Sequence, residues 1–125
     1  MSATGSLEQV KGMSRVLVDI VAERHRQDAK WGRQDHPDGT GPNEYWLGGL
    51  GISHDLDAQE LARLLRRRCQ QRFAEGKGTW ADISLEEFAE ALAEDGPVKL
   101  RAELIQKAAV AVAWVEAIDR RLTAQ

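Results

Sequence analysis

Apolar residues recur at intervals of three and four along most of this chain, and that spacing predicts helices, not strands. From about Ser14 to Lys30, Val16, Leu17, Ile20 and Val21 share one face, with Ser14 as the N-cap. The residues before it hold Ser, Thr and Gly without sustained periodicity. Residues 1–13 are therefore expected to be a flexible arm, ahead of a single helical domain over residues 14–125. From Trp31 to about Ser53 the pattern collapses into Gly, Pro, Asp and Asn, with Gly39, Gly41, Gly48 and Gly49 in the middle. Loops of that length inside compact domains tend to be functional, which predicts a lid or binding loop.

A second helix is expected from an Asp57 cap, with Ala58, Leu61, Ala62, Leu65, Cys69 and Phe73 as its stripe and Gly76 and Gly78 ending it. Ser84-Leu-Glu-Glu87 reads as the capping box that opens a third helix, which stops at Asp95-Gly96. Pro97 suits the first turn of a fourth helix running to about Arg121. The expected fold is all-α, a four-helix bundle with a long loop between helices 1 and 2.

Composition narrows the class. In 125 residues, 42% are hydrophobic and 30% charged, enough for one soluble globular domain. A formal net charge of −3 lacks the basic excess of a duplex binder, so no nucleic-acid polymer is expected as partner. The longest apolar run, Ala108 to Val115, falls far short of the ~20 residues that span a bilayer. No membrane is expected, and a cytoplasmic address is the default. The lone Cys69 rules out an internal disulfide and, from its stripe position, reads as inert core.

The third helix divides into an apolar side, Leu85, Phe88, Ala89 and Leu92, and an acidic side, Glu87, Glu90 and Glu94, with Glu86 at the margin. Alone, such a row reads as the water-facing side of an amphipathic helix. The fourth helix changes the balance. It is apolar on all sides from Ala108 to Val115, and Glu103 and Gln106 lie one and two turns ahead on the side of Val110 and Trp114. A carboxylate on an enclosed face needs a partner charge or a metal. The short connection makes helices 3 and 4 a hairpin, so Glu87 and Glu90 are expected to face Glu103 and Gln106 as oxygen ligands for Mg²⁺, with Mn²⁺ a possible substitute. On helix 1 the stripe turns polar through Glu23, Gln27 and Trp31, with Arg24 and Lys30 beside it. That is either an ordinary charged helix end or the wall of a phosphate and base pocket.

These residues resemble a known family. The segment Glu23 to Gly32 with His36-Pro37, then Thr79-Trp80, Leu85 to Glu90, Leu100 to Val110 and Ala113 to Glu116, is similar to the MazG-like all-α nucleoside triphosphate pyrophosphohydrolases. The likeness runs from about Val16 to Arg121. The family hallmark is E-x-x-E on one helix and E-x-x-D on the next; here it stands as Glu87-Phe-Ala-Glu90 and Glu103-Leu-Ile-Gln106. The amide at 106 brings an oxygen but no charge, which implies weaker metal binding or fewer ions. The resemblance implies Mg²⁺-dependent hydrolysis of a nucleoside or deoxynucleoside triphosphate to the monophosphate and pyrophosphate, in a homodimer or homotetramer. It casts Glu87 and Glu90 as catalytic. Glu23, Arg24, Gln27, Lys30, Trp31 and His36 become substrate-binding, with His36 and Trp31 bordering the base. Two rivals stand beside it. One is a nucleotide-binding helical protein without turnover. The other is an interaction module using Arg66-Arg67-Arg68 on an acidic partner.

Overall fold

A computed structural model of the chain describes residues 6–38, 40, 42 and 56–124. Its helices are α1 (Leu7–Trp31), α2 (Ala58–Ala74), α3 (Trp80–Leu92) and α4 (Pro97–Thr123). The all-α reading holds. Most of the loop between α1 and α2, including Gly39, Gly41, Gly48, Gly49 and Trp46, lies outside the described residues.

Local chemistry sets the helix ends, and two of them differ from expectation. The first helix begins at Leu7, not Ser14, because Ser6 and Gln9 form a reciprocal capping box at 2.8 and 3.1 Å. Residues 7–13 are therefore helix and not a loose arm. The second begins as expected, with Asp57 accepting from the Glu60 N–H at 2.8 Å. After it, Gly76 takes φ 74° and the chain turns back. At Gly78 the backbone runs against the Phe73 ring, where a Cβ would lie 2.3 Å from ring carbon. The third helix begins at Trp80, capped by Thr79 and Asp82, which leaves Ser84 inside it. Pro97 does occupy the first turn of α4, after Gly96 at φ 101°.

In space α1 lies against α4, α4 against α3, and α3 against α2. Between α3 and α4, Trp80, Val110, Ala113 and Ala117 are buried, with Ile83 and Trp114 packed around them. Small residues at 109, 113 and 117 let these two helices approach closely, and Ala109 is fully buried. A second cluster of Ala62, Leu65 and Ala89 joins α2 to α3. On α3 the expected apolar side is only partly covered. Ala89 is buried, but Phe88 and Leu92 are exposed, with only the Lys107 ammonium of α4 reaching over the Phe88 ring at 5.0 Å.

Asp82 fastens α2 to the start of α3. It is buried, receives Arg72 Nε at 2.8 Å and Arg68 Nη1, and accepts from the Thr79 N–H and hydroxyl. Burial alone would raise its pKa, but Arg72, Thr79 and Arg68 outweigh that and hold the carboxyl below the usual range.

The described part of the loop is stapled to the same end. The first N–H groups of α3 find partners in it, Trp80 to the Pro37 carbonyl at 2.8 Å and Ala81 to that of Asp38 at 2.9 Å. Asp38 also accepts from Trp114 Nε1 at 2.8 Å and from Arg121 at 2.9 Å, while Arg120 reaches Asp35 and the Gln34 carbonyl at 2.9 Å. Among the described residues no residue of α1 is fully buried, although several, Ile20 and Gln27 among them, are half-buried. It meets α4 through ion pairs at 2.7 Å, Arg101 to Asp19 and Arg24 to Glu116.

Candidate metal centre

Two turns of helix and one tight turn assemble an acidic cluster. Glu87 and Glu90 stand one turn apart on α3, and the Gly96-Pro97 reversal folds α4 back so that Glu103 comes over them. Each of the three offers a carboxylate oxygen within 4.8 Å of the other two. The half-buried setting matters as much as the distance. Glu87 Oε2 and Glu103 Oε2 are shut off from water and have no hydrogen-bond partner in the described structure. A buried carboxylate oxygen without a donor is unfavourable by several kcal/mol unless a proton or cation reaches it.

The electrostatics report the same deficit of positive charge. Burial, then Glu90, Glu86, Glu103 and Glu23, push the Glu87 carboxyl up to about 7. Glu103 is raised by burial and by Glu90 and Glu94, with Arg66 opposing. Glu86 is raised by burial, although a hydrogen bond from Cys69 and the charge of Arg66 work against it. Cys69 itself is buried, and burial together with Glu86 raises its thiol far above the ordinary value, so the inert-core reading holds.

These residues suit a hard divalent cation. Such ions take carboxylate oxygens, keep several waters, and would supply the charge that the orphaned oxygens lack. Soft-metal ligands are absent from the cluster, whose three members are all glutamates.

The other expected ligands and contacts are placed as follows. Gln106, one turn beyond Glu103, is exposed and faces solvent. Glu23 is half-buried, pairs with Arg26 at 2.7 Å, and lies near enough to act on Glu87, so α1 adds a further acid to the rim. One turn later Gln27 buries an unpartnered Oε1. Arg24 does not present a free cation to phosphate, because Glu116 and Asp28 hold it at 2.7 and 2.8 Å. Lys30 lies 4.7 Å over the ring of Trp31, and both are exposed at the end of α1. His36 is not at the carboxylates. It makes edge contacts with Phe73 and Trp80 at 5.0 and 4.9 Å, at the opposite end of α3 from Glu90, and burial lowers its pKa. Trp80 is core, stacked on Trp114 at 6.2 Å.

Arg66 is the residue that sequence reasoning missed. From α2 its guanidinium reaches Glu90 Oε1 through Nη2 at 2.7 Å and Nε at 3.0 Å, with Glu86 at 3.6 Å. The run Arg66-Arg67-Arg68 is thus divided. Arg66 turns to the acidic cluster, Arg68 to Asp82, and Arg67 is exposed. Three successive helical positions point 100° apart, so the run was never a single patch. No helix of the described residues is long and apolar enough to cross a membrane. No protein-family model, curated protein or solved structure matches this chain.

Proposed function

We propose that this chain is a metal-dependent nucleoside triphosphate pyrophosphohydrolase of the MazG-like kind. The observation that carries the reading is the convergence of Glu87, Glu90 and Glu103, with two of their oxygens buried and unpartnered. Glu87, Glu90 and Glu103 would hold Mg²⁺ or Mn²⁺, which supplies positive charge to phosphate oxygens when bound. Gln106 adds at most a neutral, solvent-facing oxygen. Glu87 or Glu90 would orient the attacking water and accept its proton at a carboxylate oxygen, the general-base role open to a carboxylate within reach of the water. Attack on the α-phosphorus breaks the α–β anhydride bond, and the products are the nucleoside monophosphate and pyrophosphate. Incubation with a panel of ribo- and deoxynucleoside triphosphates, with and without Mg²⁺ or Mn²⁺, is expected to release pyrophosphate from at least one of them only when metal is present. A panel that yields none would overturn the reading.

A homo-oligomer belongs to the same proposal. Leu104, Ala108, Ala111, Val115, Ile118 and Leu122 recur at alternating four- and three-residue steps along α4, a seam with heptad spacing. Leu104, Val115 and Leu122 are 46%, 55% and 59% exposed, and Met13, Leu17, Val18 and Val21 of α1 are exposed as well. Surfaces this apolar belong against another protein surface. A second copy of the chain is the partner proposed. Light scattering is expected to give the mass of at least a dimer, and Val115→Glu to shift it to the monomer by burying a charge in the seam. A wild-type monomer at every concentration tested would remove the seam from the account.

The amide at 106 favours one alternative, a protein that binds a nucleotide without hydrolysing it. Calorimetry separates them: the alternative predicts metal-dependent nucleotide binding with no pyrophosphate formed.

A further inference from the structure

The arginine on the acidic cluster has a role that the three glutamates do not explain. Arg66 comes from α2, a helix that donates no carboxylate to the cluster, and it reaches Glu90 and Glu86 on the neighbouring α3. Its side chain is 53% exposed, while Glu90 and Glu86 are 18% and 21% exposed. The guanidinium therefore sits at the water-facing mouth, with the acids behind it. Both Nε and Nη2 converge on one oxygen, Glu90 Oε1. That leaves Nη1 free of this contact, and a guanidinium fork matches phosphate oxygens as well as carboxylate oxygens.

A divalent cation and Arg66 compete for the same acceptor. When a cation takes Glu90 Oε1, the attraction that draws Arg66 inward is largely cancelled by the added positive charge. The side chain is then held only by its stem at the rim of the site. A polyphosphate bound to the cation brings several anionic oxygens to that rim. Resting on the function proposed above, the geometry points to Arg66 as the counterion of Glu90 and Glu86 that passes to the triphosphate when metal binds. It is a positioning residue for phosphate, and its grip on the glutamates weakens metal binding in the absence of nucleotide. Arg24, the cation that the sequence offered for this task, is held instead by Glu116 and Asp28.

The test uses the full chain as wild type, Arg66→Gln and Arg66→Lys. Two affinities are measured by calorimetry: Mn²⁺ alone, and a non-hydrolysable nucleoside triphosphate analogue in saturating Mn²⁺. Far-ultraviolet circular dichroism checks that each variant is folded. Arg66→Gln is expected to bind Mn²⁺ alone several-fold more tightly, and the analogue about tenfold more weakly, the size of one lost charge-assisted hydrogen bond. Arg66→Lys keeps the charge and is expected to lie near wild type for Mn²⁺, with part of the analogue affinity restored. A folded Arg66→Gln with unchanged or weaker Mn²⁺ binding overturns the competition, and unchanged analogue binding overturns the handover. Either result leaves the metal reading standing if wild type binds Mn²⁺. Wild type that binds no Mn²⁺ overturns the metal reading and this inference together.

Discussion

Glu87→Gln is expected to abolish most pyrophosphate release while making the metal-free protein more stable. Loss of a general base alone lowers turnover by about a hundredfold to ten-thousandfold. The same change would also weaken the proposed cation site, because Glu87 supplies one of the three carboxylates of the cluster. The stability effect has the opposite sign and follows from the pH linkage. The Glu87 carboxyl is raised to about 7 in the fold, against 4.5 for the free group. A raised value means that its stability contribution is fully present below pH 4.5 and is lost as pH climbs through about 7. Above that, wild type holds a half-buried, ionised carboxylate surrounded by other acids. Glutamine removes the charge and keeps the shape, so the repulsion from Glu90, Glu86, Glu103 and Glu23 is relieved and the fold gains about 1–3 kcal/mol at pH 8. Thermal melts at pH 5 and pH 8 with chelator present read this directly. The variant's advantage should be largest at pH 8 and small at pH 5. A variant less stable than wild type at pH 8 would mean that the glutamate has a structural partner. Glu90→Gln is expected to lose turnover too, but with less gain in stability, because it forfeits the ion pair to Arg66.

The largest loss of stability is expected at Asp82. This carboxylate is 2% exposed and is shared by two arginines and a helix cap. Asp82→Asn leaves Arg68 and Arg72 facing each other without a counter-charge. Breaking a buried pair in this way costs about 3–5 kcal/mol, a large part of the 5–15 kcal/mol available to a small domain. Urea unfolding should show a lower midpoint with an unchanged slope. Because the native pKa of Asp82 is depressed, its contribution is present at all pH values above the unfolded value of 3.8 and is lost only as pH falls through the lower native one. An unfolding free energy within about 1 kcal/mol of wild type would show that the arginines find other partners.

What could be read from the sequence was what is local. The Asp57 cap, the Pro97 start and the E-x-x-E pair depend on neighbours within four residues, and each stands where expected. The start of α3 was misplaced because two capping signatures lie five residues apart. Asp82 decides between them through Arg68 and Arg72 of another helix. Periodicity divides α3 into two faces but does not say which one a neighbour covers. Phe88 and Leu92 are exposed, while Glu86, Glu87 and Glu90 are half-buried. Arg66 was hidden by its companions, since three arginines in a row look like one feature until the helix turns them apart. His36 sits beside a proline and a glycine-rich stretch that suggest a binding loop, yet the aromatic rings of Phe73 and Trp80 claim it.

The absence of any buried residue on α1 has a consequence for when the site is whole. Glu23, Gln27 and Arg24 ride on a helix that packs on α4 through half-buried residues such as Ile20 and through ion pairs, which salt screens and which add little free energy each. The self-association proposed above would cover the exposed apolar residues of this helix, and its contribution to holding the helix in place would fall with dilution. Amide hydrogens of residues 7–31 should exchange quickly in dilute, high-salt samples and slowly in concentrated ones, while those of α3 stay protected throughout.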